Sequence, residues 1–256
     1  MNQLKKKLKN KELSIGTWVN IGHQSVIEVL GMAGFDWVTL DIEHSPMSLE
    51  TIQNLLGHIR ASGMEGLVRV SKNEEVIIKR VMDAGADGII VPMVNSEEDA
   101  KKAVNFVRYP PHGKRGVGLS RAQKYGYGFS EYKEWTNNNS CVIAQIEHIQ
   151  GVNNLEAILT VNGIDGIIIG PYDLSASMGY PGEYERDEVK EALRSVVEMV
   201  KKSDKSLGFH VIESKFSKMK EKIDQGYTFL AFSLDFFFLG DRAREEMEKL
   251  NQVLEK

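Results

Sequence analysis

A single cysteine, Cys141, stands among 256 residues, so neither an intrachain disulfide nor a cysteine-based metal cluster is open to this chain. Positive charge is not in surplus either. The formal net charge is −4 and the pI near 5.9, whereas a nucleic-acid surface needs clustered Lys and Arg to displace counterions from phosphates. No run approaches the roughly 20 apolar residues that span a bilayer. The basic start, Lys5-Lys6-Lys7 with Lys9 and Lys11, lacks the apolar core of a secretory signal and reads as the solvated face of a short N-terminal helix. A cytoplasmic protein is expected, with Cys141 buried just ahead of a strand. Glycine-rich phosphate loops are missing as well: no apolar run is followed by GxGxxG or GxxxxGK[ST], the usual marks of a nucleotide-binding doubly wound sheet. Small-molecule chemistry is what remains.

What the chain does have is alternation. An apolar fraction of 42% with 27% charged residues suits a large buried core. Short runs rich in β-branched residues alternate with segments of helical period, the pattern of strands covered on both faces by crossover helices. Eight strands are predicted: residues 15–20, 37–41, 66–70, 88–92, 142–146, 166–169, 207–211 and 229–234. Helices are predicted to open at Ser25, after Ser48, and at Ser96-Glu97-Glu98-Asp99, where an N-cap is followed by acidic residues that suit the helix dipole. Met32-Ala33-Gly34-Phe35-Asp36 is echoed by Met82-Asp83-Ala84-Gly85-Ala86-Asp87, each glycine closing a helix before a strand. Eight such units with no linker predict a single (β/α)8 barrel domain over 1–256, a length typical of that fold. The long connections at 109–140 and 170–186 are candidate substrate-enclosing loops at the active-site end.

In a barrel, polar residues at the strand carboxyl ends carry the chemistry. Here they are Asp41, Glu43 and His44, then Arg69, Gln145 and Glu147, Asp173, His210 and Glu213, and Asp235. Glu147 and Asp173 follow adjacent predicted strands, and two carboxylates completed by water and substrate oxygens suit a hard divalent cation. Either could instead cap the next helix. His44 is placed to be a general base or a locally bonded loop histidine. Arg69, ending an apolar strand, calls for an anion or carbonyl oxygen. Asp83, taken alone, reads as a helix-surface residue. The predicted inner strands hold no lysine for a Schiff base, and Lys72, the nearest, reads as a solvated loop residue.

These residues lie within a set of motifs running nearly end to end. They are Gly34-Phe35-Asp36-Trp37 with Asp41-x-Glu43-His44-x-Pro46, Arg69, Asp83-x-Gly85-Ala86, and Arg108-Tyr109-Pro110-Pro111-x-Gly113-x-Arg115-Gly116. Gln145-x-Glu147, Gly163-Ile164-Asp165-Gly166, Gly170-Pro171-x-Asp173-Leu174-Ser175 and Gly179-Tyr180-Pro181 complete the set. Through them the chain resembles the HpcH/HpaI aldolase and citrate lyase family, and within it the metal-dependent aldolases of 2-oxo acids. The resemblance implies reversible cleavage of a 4-hydroxy-2-oxo acid to pyruvate and an aldehyde through a metal-bound pyruvate enolate. It implies that Glu147 and Asp173 hold Mg²⁺, Mn²⁺ or Co²⁺, that the backbone amides of Tyr172 and Asp173 grip the substrate carboxylate, and that Arg69 stabilises the enolate oxygen. It also implies that His44, oriented by Asp83, moves protons, that Gln145 lies at the substrate, and that the last helix packs on a neighbouring subunit of a homo-oligomer, commonly a hexamer. Phe236-Phe237-Phe238-Leu239 fits that packing, since four apolar residues in a row cannot all face one barrel. Tyr172 and His210 depart from the family's pattern, and His210 points to a polar or anionic substrate tail. An acyl-CoA lyase would bring a basic cluster for its nucleotide, and none is evident. A non-catalytic ketoacid-binding barrel would need none of Glu147, Asp173, Arg69 and His44.

Overall fold

The computed structural model describes residues 2–254. Strands β1 (Ser14–Val19), β2 (Trp37–Asp41), β3 (Glu65–Arg69), β4 (Gly88–Val91), β5 (Cys141–Ile146), β6 (Gly166–Ile169), β7 (Ser206–Val211) and β8 (Phe229–Leu234) pair in parallel in that order. β8 returns to β1, which closes the barrel. The predicted strands agree with these to within a residue at either end. Helices α1 (Gln3–Asn10), α2 (Gln24–Ala33), α3 (Leu49–Ala61), α4 (Glu75–Ala84), α5 (Glu97–Val107), α6 (Phe129–Asn138), α7 (Ile149–Asn153) and α8 (Leu155–Thr160) lie among the first six strands. α9 (Pro171–Ser177), α10 (Asp187–Lys202), α11 (Phe216–Asp224) and α12 (Asp235–Leu254) complete the chain.

The helix boundaries follow local chemistry. Ser48 and Ser96 cap α3 and α5, their hydroxyls accepting from the backbone N–H of Thr51 and Asp99. Gly34 and Gly85 end α2 and α4 at φ 85° and 106°, a left-handed turn that costs a side-chain-bearing residue free energy. α2 begins at Gln24, capped by the imidazole of His23, one residue ahead of the predicted Ser25.

Strand alternation separates two cores. Outward side chains such as Val38, Val68, Ile89, Val142 and Ile167 pack beneath the helices. Inward ones, Trp37, Leu67, Ile90, Cys141, Ile143, Ile168 and Phe229, fill the barrel, with Trp37 stacked on Phe229 at 4.4 Å. α1 seals the end of the barrel where the strands begin, adding Leu4 and Leu8 to the inner core. Its Lys5 is not a solvated residue. It is buried, and its ammonium donates to the Ser140 carbonyl and the Asp165 carboxylate, both at 2.7 Å.

One predicted loop lies at the wrong end for a substrate lid. Residues 109–140 follow a helix, α5, and therefore cross the end opposite the strand carboxyl termini. Arg115 anchors this stretch with its side chain fully buried, bonding Asp83, the Tyr132 hydroxyl and the Val107 carbonyl beneath the Tyr109 ring. The second loop, residues 170–186, does follow a strand and carries α9 at the strand carboxyl ends.

Candidate active site

The barrel mouth is built around Arg69. As the last residue of β3 it sits beside Asp41, the last of β2, by strand register. Its guanidinium donates twice to that carboxylate, Nε at 3.0 Å and Nη2 at 2.6 Å, and Nη1 lies 3.2 Å from Glu43. Burial alone would raise the Asp41 pKa, but the Arg69 bonds and charge outweigh it and hold the carboxyl below its ordinary value. Burial also works against the Arg69 charge, and Asp41, Glu43 and Glu147 more than restore it. The same Asp41 oxygens accept from the backbone N–H of Glu43 and His44 and from the Asn20 amide, so the strand-end loop is folded around one carboxylate.

Trp18 of β1 lies under this group, with the Arg69 guanidinium 5.3 Å from its ring and His210 of β7 stacked on it at 4.5 Å. His210 Nε2 bonds the Ser233 carbonyl at 3.1 Å, and Ser233 holds a left-handed φ of 54°. Burial lowers the His210 pKa to about 4, with the Arg69 charge adding to the effect. At that pKa His210 is neutral at ordinary pH and presents an uncharged ring edge at the mouth.

Glu147 lies just beyond β5 and is 95% shielded, at 5% exposure. Its Oε1 accepts the Met93 N–H at 2.7 Å and its Oε2 the Gln145 amide. Gly170, the residue before α9, lies against it: a Cβ there would come within 2.9 Å of Glu147 Cβ and Oε2. Burial pushes the Glu147 carboxyl up to about 7, the charges of Glu43 and Asp173 acting in the same direction. Asp173 occupies the first turn of α9, whose N-cap position is Gly170, so Asp173 is not the cap of that helix.

This donor set fits a divalent cation that keeps open positions. Among the described residues no group of three or more His, Cys, Asp or Glu forms a protein-only cage. Two carboxylates instead leave room for water and substrate oxygens. The Glu147 carboxylate is held at a pKa that a neighbouring cation would bring down. Buried atoms around the mouth also lack hydrogen bonds within the protein: Gln145 Oε1, Glu43 Oε2, Asn20 Oδ1 and Trp18 Nε1. Trp18, Asn20, Asp41 and Glu43 are the site members that motif reading underweighted, since strand-end position alone does not say which polar groups bond to one another. Asp235 proves structural, its carboxylate accepting the Asn20, Ile21 and Phe236 N–H groups.

His44 and Tyr172 stand at the rim, the His44 side chain 70% exposed with Nε2 3.9 Å from Glu43. Asp83 does not orient His44 within this chain. It lies at the far end of α4, where its carboxylate meets Arg115 at 2.5 Å and the Gln123 amide at 3.4 Å. Its place just ahead of the helix-closing Gly85 already puts Asp83 at the strand amino ends, away from the mouth. Lys72 is a surface residue paired with Glu74 at 2.6 Å, and that carboxylate raises its pKa, the reverse of what an amine nucleophile needs.

Known proteins place this mouth in context. A hydroxypyruvate/pyruvate aldolase of Roseobacter denitrificans is 34% identical, covering 98% of both chains. A 4-hydroxy-2-oxo-heptane-1,7-dioate aldolase of Escherichia coli is 36% identical over 96% of this chain and 93% of its own. A solved family protein from Burkholderia cenocepacia superposes with a TM-score of 0.91 at 30% identity, covering 98% of this chain and all of that one. Residues 14–239, the whole barrel from β1 into α12, match the family description, and with catalytic relatives along nearly the full length the chain is a carbon–carbon lyase belonging to the HpcH/HpaI aldolase/citrate lyase family.

Proposed function

We propose that this chain cleaves a 4-hydroxy-2-oxo acid to pyruvate and an aldehyde and catalyses the reverse addition, with Glu147 and Asp173 holding Mg²⁺, Mn²⁺ or Co²⁺. The observation that carries the reading is the mouth itself: a guanidinium locked by Asp41, with donors left over, close enough to the buried Glu147 for the two charges to interact. A divalent cation bound there supplies Lewis acidity toward the carboxylate and 2-oxo oxygens.

The protein's own groups do the rest. Breaking the C3–C4 bond leaves negative charge on the C2 oxygen, and the preorganised Arg69 lowers the energy of that charge without having to reorient. Backbone N–H groups of Tyr172 and Asp173, in the first turn of α9, grip the substrate carboxylate. The Gln145 amide fixes Glu147. His44 takes the C4 hydroxyl proton as the aldehyde forms and returns a proton to C3. Neutral His210 and the exposed Tyr172 border the aldehyde side and favour an uncharged tail.

The test is pyruvate release from a panel of 4-hydroxy-2-oxo acids whose tails differ in length and charge. Turnover is expected, best with uncharged tails, and silence across the panel would refute the reading. The same proposal includes a homo-oligomer. α12 exposes Leu239, Met247, Leu250, Val253 and Leu254 along its length, more apolar surface than a lone helix leaves in water.

A further inference from the structure

On the outer side of β7, α10 and α11 part to leave a cavity of about 880 Å³. It adjoins the mouth, sharing Tyr172 and His210 as its near wall, and runs outward behind β7, where Phe209 and Val211 point toward the helices. Leu193 and Val197 of α10 and Phe209 of β7 give it apolar walls. The volume is that of a small-molecule pocket, about 300–1,000 Å³.

Two polar groups converge in it, and both are poorly partnered. The Lys222 ammonium lies 4.4 Å from the Phe209 ring centre and 5.7 Å from that of Tyr227. Its nearest carboxylate, Glu221, is 3.9 Å away, and its one hydrogen bond is to the Gln225 amide oxygen at 3.1 Å. Burial depresses the Lys222 pKa, a sign that the charge is under-compensated. Tyr227 is 5% exposed, its hydroxyl makes no hydrogen bond among the described residues, and burial raises its phenol. One carboxylate would satisfy both groups, accepting from the ammonium and the phenol while its apolar body lies on Leu193, Val197 and Phe209. The lining charges, Arg194, Lys218 and Lys222 against Glu213 and Glu221, leave a single positive surplus, which suits a monoanion over a dianion.

We propose that this cavity binds a small amphipathic monocarboxylate, one charged head on an apolar body, at a site that borders the reaction centre without containing its metal-binding carboxylates. The test is calorimetric titration of the full chain, metal and pyruvate present, with octanoate and with octylamine as the charge control. Octanoate is expected to saturate at one site per chain and octylamine not to bind. Lys222→Met should weaken octanoate about tenfold or more and Tyr227→Phe about threefold, the losses of a charged and a neutral hydrogen bond. Leu193→Trp, which fills the cavity, should abolish binding with the circular dichroism spectrum and aldol cleavage retained. Lys222→Met, at a position 22% exposed, keeps the test informative if the tryptophan variant does not fold. Absence of saturable binding, equal binding of the amine, or wild-type affinity in Lys222→Met overturns the proposal. So does competition by pyruvate together with loss in Glu147→Gln, which would assign the octanoate to the reaction centre.

Discussion

Arg69 shows how much one residue can be asked to do at a strand end. Its bidentate pair with Asp41 uses the planar fork that lysine lacks, so Arg69→Lys should lower kcat by about 100-fold, as removing a preorganised donor does, while circular dichroism stays native. A lysine variant retaining most of its kcat would show that positive charge, not geometry, is what matters at this position. His210 supports a prediction of a different kind. Its folded pKa of about 4 lies below the ordinary 6.5, so between those values the unfolded chain binds the extra proton. Stability is therefore complete above pH 6.5 and declines as pH falls toward 4, by about 3 kcal/mol from this residue. Urea titrations across that range should show this slope in the native chain and lose it in His210→Phe. An unchanged slope would mean that His210 is not buried neutral. Arg69 was legible from sequence because a guanidinium ending an apolar strand needs a reason. The neutrality of His210 was not, because it arises from burial, with Trp18 stacked on the ring, and from the Arg69 charge, groups distant along the chain that only barrel closure brings to it.

At the scale of elements, sequence reading did best where the signal is periodic. The strands and the serine-capped starts of α3 and α5 follow from alternation and caps, which are local. It failed where an element's role depends on which end of the barrel it reaches. The 109–140 stretch resembles a lid in composition, yet it leaves a helix and closes the opposite end, where its Arg115 pairs with Asp83 of α4. The lysines of α1 likewise read as one solvated face, although Lys5 turns inward beside Leu4 and Leu8, which plug the barrel. The buried Lys5–Asp165 pair, at 2.7 Å, makes a direct prediction. Lys5→Ala leaves the partly buried Asp165 carboxylate with only the Val142 N–H as partner and should cost roughly 2 kcal/mol in chemical unfolding. Lys5→Ala together with Asp165→Asn should recover part of that loss. A single variant as stable as the parent would show that the plug is not anchored by this pair.

For the whole molecule, the barrel places every proposed reacting group at one mouth and leaves α12 with an apolar face uncovered. If that face joins subunits, Leu250→Glu with Val253→Glu should shift the mass by light scattering from an oligomer to a smaller species, whereas an unchanged mass would move the interface elsewhere. The central claim is that the mouth works through a cation held by Glu147 and Asp173, and chelation tests it most directly. Pyruvate release from a 4-hydroxy-2-oxo acid is measured after EDTA treatment and again after Mg²⁺, Mn²⁺ or Co²⁺ is restored, in the parent and in Glu147→Gln. Activity should vanish with EDTA and return with metal in the parent but not in the variant. Cleavage that survives chelation, with pyruvate trapped on a lysine by borohydride, would contradict it.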